Sequence, residues 1–445
     1  MKMITAEPAP TGSALLSQAM AVLRAGQDRA ETTITLIPAE NSLWPPVRLP
    51  MLADLAGRYM FENDPDPQAG DWNFPAARAS AWLETGLAVP LLRRLADAPF
   101  VNVRPLSGLH AMQMVVAALG GIPGSGTVAC LSADQGGHYA TAGIVTRLGH
   151  RVVQLPGTGQ HGPDLEQVAD LCAEHRPALV YLDQCHALNP FDTAPIAAAV
   201  RSSSPATKVH VDISHTLGLV LGGAVANPLD GGADSISAST HKSFPGPQKG
   251  VIATRDADLH QRFALVQPQF VSNHHFGAVA ALGLALAAFA DQAGSYAQTA
   301  VTNAQTLGKH LAHAGWDMHG AEYGYTRTHQ LWAEVPGVAR QIAAGRLYDA
   351  GVNVNWLTDL PVTRMGLRLG LAEAAWIGLR PADMADLSAI MAAAVTGERP
   401  AGELAHATAA LRRRVPAYPF TPVLDPRTAG DAAAVLGSVT AEFAR

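Results

Sequence analysis

A chain of 445 residues is too long for one ordinary core and long enough for a large domain plus a smaller one. Its 31 Lys+Arg against 37 Asp+Glu give a net charge of −6 with no dense basic block, which argues against nucleic acid or an anionic membrane and for a small-molecule partner. Three widely separated cysteines, Cys130, Cys172 and Cys185, exclude a disulfide framework and a Cys-rich metal site, and predict a reducing cytoplasm.

The first residues carry Glu7, Pro8 and Pro10 and no continuous apolar stretch after Lys2, so no signal peptide is expected. Segments 127–132, 178–183, 208–214, 234–239 and 250–254 are short and apolar or alternating, as strands covered on both faces are. The spacing of Leu165, Val168, Ala169 and Cys172 predicts a helix over 164–175, capped by Asp164. Alternating strands and helices imply an α/β domain with a mainly parallel sheet and a ligand at the carboxyl ends of its strands. The longest apolar run, 278–290, is about 13 residues against the roughly 20 that cross a bilayer, and reads as a buried core helix. From about residue 295 the pattern becomes a long helix, a strand near 329–335, a helix near 338–350 and a strand around 366–370, the pattern of a smaller α+β domain. A Pro-rich piece, 416–426, precedes a last helix over 430–443. The expected division is an N-terminal arm over 1–45, a large domain over 46–294 and a small C-terminal domain over 295–445.

The most informative stretch is 209–250. Asp212 closes an apolar strand, where a carboxylate needs a cation or several donors. A protonated pyridine nitrogen would serve, because the carboxylate keeps the ring positive and able to draw electrons from a substrate carbon. Lys242 follows after another strand, in a Ser-Thr-His-Lys turn from which it can reach back over the sheet edge. Taken singly, such an Asp is more often a cap and such a Lys solvated. Pro105-Leu106-Ser107-Gly108-Leu109-His110 opens an apolar helix, whose free N–H groups and Ser hydroxyl suit a phosphate or an ordinary cap. Gly136-Gly137-His138 offers an imidazole able to stack on an aromatic cofactor, or a plain surface histidine. Arg368, between apolar neighbours, suits a substrate carboxylate or a structural ion pair.

In this order the pieces resemble the serine hydroxymethyltransferase family of pyridoxal 5′-phosphate enzymes, from about residue 36 to 378. The resemblance includes Leu36-Ile37-Pro38-Ala39-Glu40-Asn41-Ser42, the Pro-Leu-Ser-Gly loop, Asp212-Ile213-Ser214-His215, Thr240-His241-Lys242 and Gly366-Leu367-Arg368-Leu369-Gly370. It implies fold type I, with a mainly parallel seven-stranded sheet between helices. It further implies Lys242 as the lysine that binds the cofactor covalently, Asp212 on the ring nitrogen, His138 on the ring face, and Ser107 with Gly108 at the phosphate. His215, Thr240, His241 and Cys185 would line the cofactor, and Arg368 would take the substrate carboxylate. A homodimer with shared sites is implied as well, with Ser272 and Asn273 offered to the neighbour's phosphate.

The folate-binding loop of the hydroxymethyltransferases is replaced by Tyr59-Met60-Phe61-Glu62-Asn63-Asp64-Pro65, and their Thr-Thr-Arg-Gly by Ala374-Ala375-Trp376-Ile377-Gly378. Cys185-His186-Ala187 stands where that family has Ser-Ala-Tyr. The chain is similar to the threonine transaldolase branch at Leu182-Asp183-Gln184, Pro245-Gly246-Pro247-Gln248-Lys249-Gly250 and Thr326-Arg327-Thr328-His329-Gln330, although Met112 replaces that branch's acidic residue. The expected reaction is a folate-independent, aldol-type exchange on a β-hydroxy amino acid, in natural-product biosynthesis, with Tyr59, Glu62 or His138 moving the hydroxyl proton and Tyr59 touching substrate. The alternatives are β-elimination or decarboxylative oxidative deamination of a cysteine S-conjugate, as in lincosamide biosynthesis, and a non-catalytic binding protein. Adjacent His274 and His275 lack spaced partners, and no metal is expected.

Overall fold

The computed structural model describes residues 11–61, 72–157, 162–357, 360, 366–441 and 443. After a two-residue strand β1 (Ile34–Thr35), seven strands form one sheet: β2 (Phe100–Asn102), β3 (Thr127–Cys130), β4 (Arg151–Gln154), β5 (Leu179–Asp183), β6 (Lys208–Asp212), β7 (Ser235–Ser239) and β8 (Gly250–Thr254). Their order is β2-β8-β7-β6-β5-β3-β4. Strands β4, β3, β5, β6 and β7 run parallel, and β8 pairs antiparallel with both β7 and β2. β5, β7 and β8 are buried at every position, which explains the near-continuous apolar runs of β5 and β8 and the small side chains of β7. The two edge strands escape the sequence pattern: β2 has three residues, and the outer residues of β4 are exposed.

Gly12–Ala30 forms a helix with no buried residue. Helices 108–119, 165–175, 193–203, 257–270 and 276–290 cover the sheet, the last buried along most of its length. Among the described residues no single helix is long and apolar enough to cross a membrane.

A second sheet joins β9 (Asp317–Met318), β10 (Gln330–Glu334), β12 (Asn355–Trp356) and β13 (Leu367–Gly370) in the order β12-β13-β10-β9, and β1 pairs with β11 (Val352–Asn353). Their core gathers Ile34, Leu36, Leu307, Leu331, Leu347 and Leu369. The last helix starts at Pro426 rather than 430, with proline at the helical start where its missing N–H costs nothing.

Four buried side chains tie the sheet edge to the loops beside it. The π-helical turn Leu83–Ala88 carries Glu84, whose two oxygens accept from Arg104 Nε at 2.7 Å and His274 Nε2 at 2.8 Å. Lys249 Nζ donates to the carbonyls of Arg104 at 3.0 Å and His274 at 2.7 Å, closing a ring of contacts. Burial alone would raise the Glu84 carboxyl, but the His274 hydrogen bond and the Arg104 guanidinium outweigh it and hold it down at about 2. Burial also brings the Lys249 ammonium down to about 7.

A carboxyl depressed in the folded state adds stability above its unfolded value near 4.5, and that stability is lost as pH falls through 4.5 toward 2. Glu84→Gln is therefore expected to cost about 3 kcal/mol at neutral pH and much less near pH 3. Urea unfolding of both proteins at the two pH values checks this, and an equal loss at both would contradict it.

Candidate active site

The parallel strands bring Asp183, Asp212 and Ser239 to one edge of the sheet, and their carboxyl ends open into a cavity of about 220 Å³. Ser107, Gly108, His138, Cys185, Asp212, His215, His241 and Lys242 all line it.

Asp212 receives three neutral donors. Its Oδ1 accepts from Ser214 N at 2.8 Å, and Oδ2 from Tyr181 and Ser237 hydroxyls, both at 3.2 Å. These come from the strands on either side and from the following turn, so the carboxyl is aimed before any ligand arrives. On the opposite wall, Ser107 Oγ caps the helix Gly108–Leu119 by accepting from His110 N at 3.1 Å. Gly108 is required there because a Cβ would collide with the Ser239 hydroxyl. The bare helix N-terminus and hydroxyl together suit an anion.

Lys242 Nζ lies 3.4 Å from His215 Nε2. Burial is the main influence lowering the Lys242 amine, with the Cys185 thiol and Asp212 opposing it and Arg368 adding to it. Burial, then Lys242 and Arg368, drive His215 well below its ordinary value, so it is a neutral acceptor. His241 is brought down to about 4 by burial and by Lys242. Cys185 Sγ contacts the same His215 nitrogen at 3.5 Å. Asn41, from the segment 36–42, donates to the carbonyl of Lys242 at 2.7 Å and so holds the lysine turn from behind.

Arg368 sits on β13 opposite Trp332, only 5% exposed. Its Nη1 donates to His186 Nδ1 at 3.1 Å and approaches Cys185 Sγ at 4.0 Å. Burial and the guanidinium bring His186 down to about 3, so the imidazole accepts.

Other expected residues lie elsewhere. The Thr240 hydroxyl faces its own turn, bonding the carbonyls of Pro247 and Lys249, so it is not on the cavity wall. Tyr59 is 41% exposed and stacks on Phe74 with centroids 5.2 Å apart. Ser272 and Asn273 are off the cavity wall, and Asn273 Oδ1 caps His275 N at 3.0 Å. Glu62 lies outside the described residues. Sequence reasoning passed over Tyr181, Ser237, Asp183 and His186 as site residues. The first three are hidden among strand residues, and His186 stood out only as a departure from a family pattern.

The residues fit pyridoxal phosphate. A carboxyl for a ring nitrogen, an amine and a helix N-terminus share one cavity, and His215 Nδ1 and His241 Nδ1 are buried without partners. The sequence matches the serine hydroxymethyltransferase family over residues 16–391. The chain belongs to that family. It is thus a pyridoxal phosphate-dependent enzyme, and Lys242, Asp212 and the Ser107–Gly108 turn are the groups that would hold the cofactor.

Within the family, the chain is 44% identical to an L-threonine:uridine-5′-aldehyde transaldolase of a Streptomyces species, covering 85% of this chain and 92% of that one. An Amycolatopsis protein of the same name is 44% identical, covering 81% and 87%. A serine hydroxymethyltransferase of Pyrobaculum neutrophilum is 35% identical, covering 84% and 87%. The fold is that of an L-threonine transaldolase from Pseudomonas fluorescens, with a TM-score of 0.84, 24% identity and 94% and 97% coverage.

Borohydride reduction is expected to fix the cofactor to the wild-type protein and to leave Lys242→Ala unlabelled, read by intact mass. Label retained by the variant would remove Lys242 from this role.

Proposed function

We propose that the chain is an L-threonine:aldehyde transaldolase. The observation that carries this reading is a cofactor site with Arg368 fixed beside it by His186, in a chain 44% identical to transaldolases that pair L-threonine with an aldehyde. When bound, pyridoxal phosphate supplies a sink for the electron pair left on Cα as a Cα–Cβ bond breaks.

The chain's own groups do the rest. Arg368 takes the amino acid's carboxylate through its planar guanidinium. Lys242, buried and with its charge disfavoured, is the amine for attachment, and neutral His215 at 3.4 Å orients it as a hydrogen-bond acceptor. Of Tyr59, Glu62 and His138, His138 lines the cavity of the described residues, and burial lowers its pKa. It is assigned the threonine hydroxyl proton and its return to the product. Acetaldehyde leaves, a second aldehyde joins the same Cα, and neither water, oxidant nor folate is consumed.

The replaced folate loop supports folate independence. The names of the relatives favour a nucleoside-type aldehyde as acceptor and a role in making unusual β-hydroxy amino acids. A homodimer is part of this proposal. The helix Gly12–Ala30 exposes Leu15, Leu16, Met20 and Leu23, and Tyr59, Ser272 and Asn273 lie off their own chain's cavity, free to complete a neighbour's. Three free cysteines support a reducing, cytoplasmic setting.

L-threonine with an added aldehyde is expected to yield acetaldehyde and a new β-hydroxy amino acid, read by mass spectrometry. Pyruvate from an S-alkylcysteine, with no aldehyde from threonine, would replace this reading with elimination. Arg368→Lys is expected to raise the KM for threonine about tenfold or more, with cofactor retention little changed. A KM left at the wild-type value would take the carboxylate away from Arg368.

A further inference from the structure

Asp183 ends β5 in direct register with Asp212 at the end of β6, so two carboxyl groups stand side by side at the cavity. Its side chain is buried, 3% exposed. Oδ2 accepts from His138 N at 3.1 Å and from the Thr141 hydroxyl. Oδ1 is buried without a partner. No Lys, Arg or His forms an ion pair with this carboxyl among the described residues.

Two adjacent strand ends cannot both carry a charge cheaply. Asp212 has three donors over its two oxygens, whereas Asp183 has one oxygen bare. The proton therefore belongs on Asp183. A protonated Oδ1 is a donor, and a buried donor needs an acceptor. The other oxygen already grips the loop that presents His138. The same loop is tied a second time, because Gly136 O accepts from Cys185 N at 2.9 Å and His186 N at 3.1 Å.

We propose that Asp183 is a neutral acid with two tasks: one oxygen clamps the His138 loop, and the other donates a hydrogen bond to an oxygen acceptor on the bound cofactor. The titratable groups around it are Asp212, Tyr181, Cys130, Cys185 and His138. Burial raises the Asp183 carboxyl well above its ordinary value, the Thr141 hydrogen bond opposes this, and Asp212 adds to it. The division of labour is one charged carboxyl for the ring nitrogen and one neutral carboxyl as donor. A ketosteroid isomerase uses the same physical device, a carboxylic acid kept protonated by its surroundings.

The inference rests on cofactor binding and not on the threonine reaction, so its test uses no substrate. Holoenzyme of the wild type, Asp183→Asn, Asp183→Ala and Thr141→Val is compared by infrared difference spectroscopy and by the dissociation constant of the cofactor. A protonated-carboxyl band is expected in the wild type at neutral pH and is absent from Asp183→Asn. The amide keeps both an acceptor and a donor and is expected to weaken the cofactor only about threefold, whereas Asp183→Ala weakens it about tenfold or more. Thr141→Val leaves the acid in place and is expected to cost about threefold by loosening one tether.

If Asp183→Asn is as weak as Asp183→Ala, or the infrared band is absent from the wild type, the acid is charged and the proposal is overturned. If Asp183→Ala fails to fold, Thr141→Val decides the clamp, and unchanged cofactor retention in that variant overturns it. A wild type that holds the cofactor and ignores threonine would refute the transaldolase reading while leaving this inference standing.

Discussion

The hydrogen bonds that fix Asp212 set the frame for everything around them. Tyr181 reaches it from β5, Ser237 from β7 and the Ser214 amide from the turn that follows β6. Three adjacent strands thus decide where the carboxyl points, and a rigid sheet, rather than a loop, aims the group proposed to meet the ring nitrogen. The lysine turn, the Ser107 helix start and the His138 loop all open onto the same edge, because parallel strands deliver their carboxyl ends together. Moving any one of these strands would misplace the carboxyl relative to the amine.

Charge is managed by burial as much as by pairing. His186, His215, His241 and His329 are all pushed down by burial first, so Lys242 meets a neutral acceptor in His215 and Arg368 one in His186. His329 holds His215 from behind by donating to its carbonyl at 2.9 Å. Neutral His186 holds Arg368 in place without cancelling its charge, as the proposed role at a substrate carboxylate requires. Behind the site, Glu84, Arg104, His274 and Lys249 bind the backbone that leads into the Ser107 turn to the segment that ends at His275.

The sheet was legible where its strands are central. The five interior segments are short and apolar or alternating and were placed to within two residues, whereas β2 and β4 are short or half-exposed edges whose composition says little. Lys242, Asp212 and Ser107, which line one cavity, and Arg368, which approaches Cys185 on its wall, stood out in the sequence because each is a polar residue in an apolar or glycine-rich setting that needs a reason to be there. Thr240 shows the limit of carrying roles across by motif, since its hydroxyl serves the turn and not the cavity. Asp183, Tyr181 and Ser237 act through register across strands distant in sequence, and no spacing along one chain segment reveals that. The helix Gly12–Ala30 carries exposed Leu15, Leu16, Met20 and Leu23 and buries none of its residues within the chain.

The central claim is that the Cα and carboxylate of threonine stay together while Cβ is exchanged. Turnover of L-threonine labelled with carbon-13 at both Cα and the carboxyl carbon, in the presence of an unlabelled aldehyde, tests it most directly. The label is predicted to appear in the new β-hydroxy amino acid, with the acetaldehyde unlabelled. An unlabelled amino-acid product, or label lost to carbon dioxide or a keto acid, would contradict the account.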